Sequence, residues 1–244
     1  MKRNLRSLAV LAAFLAAWFA WGCYDARPLL EAEVSAAPLG AVAVLELFTS
    51  EGCSSCPPAD GLLAEVAGAD GVYALSFHVD YWDSLGWPDP HGQRAFSLRQ
   101  RSYAARLSDG RVYTPQLVIN GAAEAIGSSR SQVRAALADA LARPASASVS
   151  LALSGARLSY RVAGAPAGSL VHAARILPHA ETRPERGENE GRAWAHTNVV
   201  LALDSAELAP DGVGAFELPL TRPVIVYVQD PETFEVLGAA RWDP

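Results

Sequence analysis

Two cysteines three residues apart, Cys53 and Cys56, are the residues of this chain best suited to do chemistry. Such a pair can close and open as a disulfide, and a neighbouring helix N-terminus favours the thiolate of the first cysteine. An apolar run, 41–48, precedes the pair, and a helix-like stretch, 58–66, follows it. We therefore predict a redox dithiol on a strand-to-helix turn, in which Cys53 attacks and Cys56 resolves the mixed disulfide.

Two other interpretations of the cysteine pair stay open, namely a structural disulfide and half of a zinc site. A zinc site needs further ligands, and without a second cysteine pair these would be His78, Asp80 or His91. Haem attachment is excluded because Pro57, and not histidine, follows Cys56.

The elements that must position the cysteines alternate between strand and helix. We predict strands at 42–48, 72–79, 116–120 and 122–126, and helices at 58–67, at 94–107 and from Ser129 to Pro144. The resulting β-α-β-α-β-β-α order is that of the thioredoxin fold. We therefore predict an α/β thioredoxin-like domain over residues 41–144.

The C-terminal part of the chain follows a different pattern. From residue 147 onward, apolar residues recur at every second position, which predicts half-buried strands. About seven strand candidates follow, enough for a small sandwich. We therefore predict that a small β-sandwich-like domain over residues 145–244 follows the thioredoxin-like domain.

Two further segments are predicted to flank the dithiol. The thioredoxin order places Thr114 and Pro115 where a cis proline packs against the disulfide and offers backbone to a partner chain. His78 and Asp80 follow the second strand, whose carboxyl end lies at the same sheet edge as Cys53. His78 is a candidate proton shuttle, with a hydrogen-bonded structural histidine as the alternative.

Two glutamates are candidates for tuning the cysteine pKa values. Glu51 lies two residues before Cys53, where its charge would raise the pKa of that thiol. Glu46 lies on the preceding strand, near a position at which thioredoxins hold a buried carboxylate that takes a proton from the resolving cysteine. A solvent-facing or salt-bridged strand glutamate is the alternative for Glu46.

The N-terminus predicts export. A positive start followed by an apolar run at 8–21 is typical of a signal peptide, and this run is shorter than the roughly 20 residues that cross a bilayer. Cys23 follows residues that resemble the end of a bacterial lipoprotein signal, which predicts lipidation, with ordinary cleavage near residues 36–37 as the alternative. We predict a signal peptide at 1–22, a tether at 23–40, and a periplasmic, lipid-anchored or secreted protein.

The charge balance limits the partners. The chain has a formal net charge of −6, and removal of the predicted signal peptide, which carries three cations, makes it more negative. This disfavours a nucleic-acid partner. We predict exchange with protein or small-molecule thiols and disulfides, without a cofactor. The alternative is a metal-binding protein or metallochaperone that uses Cys53, Cys56 and His78.

Several separate motifs resemble an exported bacterial family catalogued as domain of unknown function 1223. The matching segments are 46–60, 78–83, 86–87, 99–103, 113–116, 120–121 and 187–192. The resemblance covers roughly residues 42–242 and implies an exported thioredoxin-like domain with a C-terminal β extension and no established substrate. The family pattern suggests that 187–192 packs toward the dithiol or binds a partner, with a solvated hairpin loop as the alternative.

Overall fold

The computed structural model describes residues 40–219 and 221–244. The predicted signal peptide and Cys23 lie outside the described residues, as does the predicted tether up to residue 39. No helix among the described residues combines the length and the apolar character needed to cross a membrane.

The described residues contain eleven strands and three α-helices. The helices are α1 (Pro57–Val66), α2 (Arg94–Leu107) and α3 (Arg130–Leu141). The strands are β1 (Ala43–Thr49), β2 (Val72–His78), β3 (Gln116–Ile119), β4 (Ala123–Ile126), β5 (Ser148–Ser154), β6 (Arg157–Ala163), β7 (Leu170–Thr182), β8 (Trp194–Glu207), β9 (Val213–Glu217), β10 (Val224–Gln229) and β11 (Val236–Trp242).

Eight of the strands form one mixed sheet in the order β11-β10-β7-β8-β2-β1-β3-β4, and β5-β6-β9 form a second, three-stranded sheet. β1 runs parallel to β2 and antiparallel to β3. β8 joins the two halves of the large sheet, because it pairs in parallel with β2 and antiparallel with β7. Strands from both halves of the chain therefore share one sheet.

The predicted fold class is wrong. We expected an α/β thioredoxin-like domain followed by a separate small β-sandwich, but four of the seven C-terminal strands extend the N-terminal sheet. β10 is buried along its whole length, as a central strand is, because both of its faces are covered. The large sheet contains strands from before and after residue 144. The domain boundary that the sequence predicts at residue 144 stays a prediction.

The large sheet is covered on both faces. On one face, α2 packs through Phe96 and Tyr103 onto side chains of β1, β2, β7, β8 and β10. On the other face, α1 and α3 cover β1 and β3, and the three-stranded sheet covers β7 and β10. Alternate residues of β1 face opposite layers, so Leu45 and Leu47 contact α1 whereas Phe48 lies on the α2 side.

One edge of the large sheet gathers the polar residues. β1 and β2 are parallel and end side by side, with Thr49 opposite His78. The chain turns after Thr49 and enters α1 at Pro57. The cysteine pair therefore lies at the carboxyl edge of two parallel strands, where ligand and reaction sites of α/β sheets are commonly formed.

Candidate functional site

Cys53 and Cys56 form a disulfide across the start of α1, with their Cα atoms 5.5 Å apart. Cys56 is the N-cap residue of this helix, and Pro57 and Pro58 occupy its first positions. Proline is well suited there because the first N–H groups of a helix have no intrahelical partner. Neither cysteine has any exposed surface, so the disulfide is closed off from solvent.

A loop from the C-terminal half covers the disulfide. This covering loop, residues 183–193 between β7 and β8, is held by Asn189, whose Nδ2 donates to the carbonyl oxygens of Glu51 and Cys53, both at 2.9 Å. The N–H of Ser54 donates to Glu188 Oε2 at 3.2 Å. The segment that resembles the family pattern at 187–192 thus packs against the cysteine turn.

Two tryptophans complete the wall around the cysteines. Trp82 and Trp194 pack with Cys53 and Cys56 in one small cluster. Gly52 lies so close to Trp82 that an added Cβ would come within 2.9 Å of the tryptophan Cβ. A side chain at Gly52 would therefore displace the wall or the turn that carries the disulfide.

Thr114 and Pro115 border the cysteine turn, and the peptide bond between them is cis. Thr114 Oγ1 accepts a hydrogen bond of 2.9 Å from Trp82 Nε1, and its carbonyl accepts one of 3.4 Å from Ser55 Oγ. Ser55 Oγ in turn lies 3.3 Å from Cys53 Sγ. These contacts connect Thr114 to both the wall and the disulfide turn.

Five titratable side chains lie buried beside the disulfide turn, in what we call the histidine–carboxylate cluster: Glu51, Asp60, His78, Asp89 and His196. His78 Nδ1 donates to Asp89 Oδ2 at 2.7 Å. His196 Nδ1 lies 3.3 Å from Asp60 Oδ1, and His196 Nε2 lies 3.5 Å from Glu51 Oε1. The two imidazole rings contact each other, with centroids 4.7 Å apart.

Neighbouring groups fix at least one oxygen of each carboxylate in the cluster. Trp87 Nε1 donates to Glu51 Oε2 at 2.7 Å, and Thr49 Oγ1 donates to Asp60 Oδ2 at 2.9 Å. The N–H of Glu51 donates to Asp89 Oδ2 at 2.8 Å. The end of β1, the cysteine turn and α1 therefore place these carboxylates with little freedom.

The charges in the cluster shift the pKa values of its members. Burial alone would lower the pKa of His196, but Asp60 and Glu51 outweigh it and raise that pKa to about 9. Burial would raise the pKa of Asp89, but the hydrogen bond and charge of His78, together with the N–H groups of Glu51 and His91, outweigh it and keep that pKa below its ordinary value. Burial and the charge of His78 lower the pKa of the adjacent His91.

The structure brings some of the predicted site residues together and separates others. Glu51 and His78 lie in the histidine–carboxylate cluster. Glu46 instead lies in the α2 layer, where Arg99 and Tyr103 bind its carboxylate. Asp80 bonds to Ser97 of α2 and contacts no member of the cluster among its hydrogen bonds within residues 40–219 and 221–244.

Four residues of the site were not predicted: Asp60, Asp89, Trp194 and His196. The position of Asp60 in the first turn of α1 is a signal that the sequence offered, because it puts a carboxylate one turn from the cysteines. His196 and Trp194 reach the site only because β8 pairs with β2. No local spacing connects them to the cysteines.

Two solved structures resemble the described fold. An X-ray structure of an Agrobacterium tumefaciens protein from a structural genomics consortium matches with a TM-score of 0.69 and 26% identity, over 84% of this chain and 95% of that chain. Protein HBP35 of Porphyromonas gingivalis matches with a TM-score of 0.58 and 16% identity, over 84% of this chain and 76% of that one, a likeness of fold alone.

Sequence comparison gives the family. A search of curated proteins returns no match. A family model described as "Protein of unknown function (DUF1223)" matches residues 44–229, which is well over half of the chain. The chain therefore belongs to the DUF1223 family.

Proposed function

We propose that this protein exchanges disulfides with protein or small-molecule thiols through Cys53 and Cys56. The observation that carries the proposal is the Cys53–Cys56 disulfide at the N-cap of α1. When this bond opens, the helix N-terminus favours the thiolate form of a nearby cysteine, and a thiolate is the species that attacks disulfides. The exported location predicted from residues 1–22 belongs to the same proposal, because disulfides persist in oxidising compartments.

The exchange consists of two balanced steps. A partner thiolate attacks Cys53 Sγ, which forms a mixed disulfide with the partner and releases the Cys56 sulfur as a thiolate that takes up a proton. A second partner thiolate then attacks the partner sulfur of the mixed disulfide and releases Cys53. Two electrons have passed from the partner dithiol to the protein disulfide, and the reverse sequence reduces a partner disulfide.

The covering loop must open for either direction to proceed, because both sulfurs are enclosed. Asn189 supplies two of the hydrogen bonds that hold the loop over the cysteine turn. Loops held by few contacts open locally at a free-energy cost well below that of global unfolding. We infer that the opening of the covering loop controls the rate at which partners reach Cys53.

The alternative metal site of Cys53, Cys56 and His78 has less support. Both sulfurs are bonded to each other. A metal would bind these cysteines only after reduction, since the ligand is the thiolate.

The test combines trapping with an exchange measurement. Cys56→Ser is expected to accumulate mixed disulfides on Cys53, and the matched control Cys53→Ser is expected to accumulate fewer or none. The oxidised wild-type protein should reach a redox equilibrium with glutathione. If Cys56→Ser traps nothing and the wild-type disulfide does not exchange, the disulfide is a structural bond and the proposal fails.

Asn189→Ala tests whether the covering loop limits the access of thiols to the disulfide, because the substitution leaves both cysteines unchanged. The loss of two hydrogen bonds of about 1 kcal/mol each is expected to speed reduction of the disulfide by glutathione roughly 10-fold or more, because the loop opens more often. The matched control is Glu190→Ala, whose exposed side chain lies in the same loop. Equal rates for the two variants would contradict control by the covering loop.

A further inference from the structure

We propose that the histidine–carboxylate cluster is a binding site for a first-row divalent cation of the zinc class, held by Asp60, His78 and His196. One donor atom from each of the first three residues lies within 4.8 Å of the other two, and all three residues are buried. Three nitrogen and oxygen ligands with a fourth, open position are typical of catalytic zinc sites.

The first support is a buried nitrogen without a partner. His78 Nε2 makes no hydrogen bond within the described residues, although the side chain has no exposed surface. A buried polar group of this kind costs free energy when it stays unpaired. A cation bound by His78 Nε2 would satisfy this nitrogen, which the ion pairs of His196 with Asp60 and Glu51 do not.

The second support is the way His78 is oriented. Its Nδ1 donates to Asp89 Oδ2 at 2.7 Å, so in the neutral ring Nε2 is the nitrogen that offers a lone pair to a metal. Metal-binding histidines almost always donate their other ring N–H to a carboxylate or carbonyl in this way. Asp89 would therefore act as a positioning residue that holds the ring and raises its basicity.

The third support is the spacing of the donor atoms. Zinc bonds of about 2.0–2.2 Å place tetrahedral ligand atoms roughly 3.3–3.6 Å apart. His196 Nδ1 already lies 3.3 Å from Asp60 Oδ1. These two atoms can therefore share an ion after a small movement, with the cation replacing a proton.

The charge balance favours a divalent ion. Glu51, Asp60 and Asp89 lie together, and their ion pairs within residues 40–219 and 221–244 are with histidines. A buried carboxylate is costly unless it is paired or coordinates a metal. Imidazole ligands select zinc, copper, iron and nickel over magnesium and calcium, so the donor set points to the first-row metals.

This site is distinct from the dithiol, and the two can be tested apart. The oxidised chain is titrated with Zn²⁺ against a chromophoric chelator, and Co²⁺ is added separately to record the visible spectrum. With the sulfurs held in the disulfide, we expect one Zn²⁺ per chain and a Co²⁺ spectrum without thiolate charge-transfer bands. The double variant Cys53→Ser/Cys56→Ser should bind Zn²⁺ with unchanged affinity.

Variants of the cluster give the decisive comparison. Asp89→Asn is expected to weaken Zn²⁺ binding about 10–100-fold, and His78→Gln or His196→Gln at least as much. His179→Gln is the matched control, because His179 is an exposed histidine outside the cluster. Thermal unfolding of each variant without metal identifies any that fails to fold, and Asp89→Asn and Asp60→Asn then carry the test.

Two results would overturn the inference. The first is the absence of stoichiometric Zn²⁺ in the folded wild-type chain, which would leave the cluster as a set of ion pairs. The second is binding that disappears in Cys53→Ser/Cys56→Ser but persists in the folded histidine variants, which would locate the metal at the sulfurs. The cysteine variants are expected to lose disulfide exchange and to keep Zn²⁺ binding. Retained Zn²⁺ binding supports the metal site independently of whether the wild-type disulfide exchanges with thiols.

Discussion

Two buried polar clusters lie at the two faces of the large sheet, and they differ in how completely their hydrogen bonds are satisfied. The first, which we call the arginine network, is formed by Glu46, Arg99, Tyr103, His172, Tyr227 and Gln229. The second is the histidine–carboxylate cluster beside the disulfide. Both contain fully buried glutamates, and only the second leaves donor or acceptor atoms without a partner among the described residues.

The arginine network is satisfied throughout. Arg99 binds both oxygens of Glu46 and also donates to the hydroxyls of Tyr103 and Tyr227, at 2.8 and 2.9 Å. Tyr103 donates to Glu46 at 2.6 Å and accepts from Gln229. A fully satisfied buried network of this kind rigidifies a core. We infer that the arginine network contributes to stability and not to the chemistry of the dithiol.

The histidine–carboxylate cluster is satisfied only in part. Each of its carboxylates has at least one oxygen held in place, yet His78 Nε2 makes no hydrogen bond and Glu51 Oε1 has only the ion pair with His196 within the described residues. Incomplete pairing of this kind costs stability. The comparison teaches that two equally buried charged clusters can differ in pairing, and the less completely paired one is the better candidate for binding a ligand.

The largest effect is expected when the arginine network loses its cation. Arg99→Met leaves Glu46 buried and unpaired, which should lower the free energy of unfolding by about 3–5 kcal/mol. Urea denaturation followed by tryptophan fluorescence measures this loss. Arg101→Met is the control, because Arg101 is exposed on the same helix, and it should have little effect. Equal losses for the two variants would show that the network does not stabilise the fold.

A smaller effect should appear as a pH dependence of stability. Burial and the charge of Arg99 lower the pKa of His172 from 6.5 to about 3, so this histidine is neutral in the folded protein. The unfolded chain binds more protons between these two values, and the free energy of unfolding must therefore fall as the pH falls below 6.5. Between pH 7 and pH 5 this contribution amounts to about 2 kcal/mol.

His172→Gln tests the pH dependence. The variant lacks the titrating group, so its stability should fall between pH 7 and pH 5 by about 2 kcal/mol less than that of the wild type. His179→Gln removes an exposed histidine and should keep the wild-type slope. Parallel pH profiles for His172→Gln and the wild type would contradict the assignment of a neutral buried His172.

Local elements could be predicted from the sequence, and their assembly could not. The helix Arg94–Leu107 has its predicted bounds, and β1 and α1 are displaced by one residue, because periodicity and helix-starting prolines are local signals. The partner of each C-terminal strand is not encoded in an alternating pattern. The alternating pattern therefore predicted β7, β8 and β10 as strands, but it did not predict that they continue the N-terminal sheet.

The site also has a part that local sequence signals predict and a part that depends on the assembly of the strands. The cysteine turn, Glu51 and His78 follow from parallel strands that end at one edge. Glu46 makes the salt bridge that the sequence analysis gave as its alternative, and strand geometry explains its distance from the disulfide. It lies three residues before Thr49, which bonds Asp60 in the site, and residues an odd number apart on a strand face opposite sides. His196 depends on the pairing of β8 with β2, which no local pattern reveals.

The sharpest comparison makes the same substitution at the two buried glutamates. Glu51→Gln, measured in the presence of a chelator, should lower the free energy of unfolding by about 1 kcal/mol, because Asp60 still pairs with His196 and Trp87 can still donate to an amide oxygen. Glu46→Gln should cost several times more, because Arg99 would lose its carboxylate in a buried network. Urea denaturation of both variants at one pH gives the ratio. Equal costs would mean that Glu51 stabilises the fold as Glu46 does, and the contrast between the two clusters would then be lost.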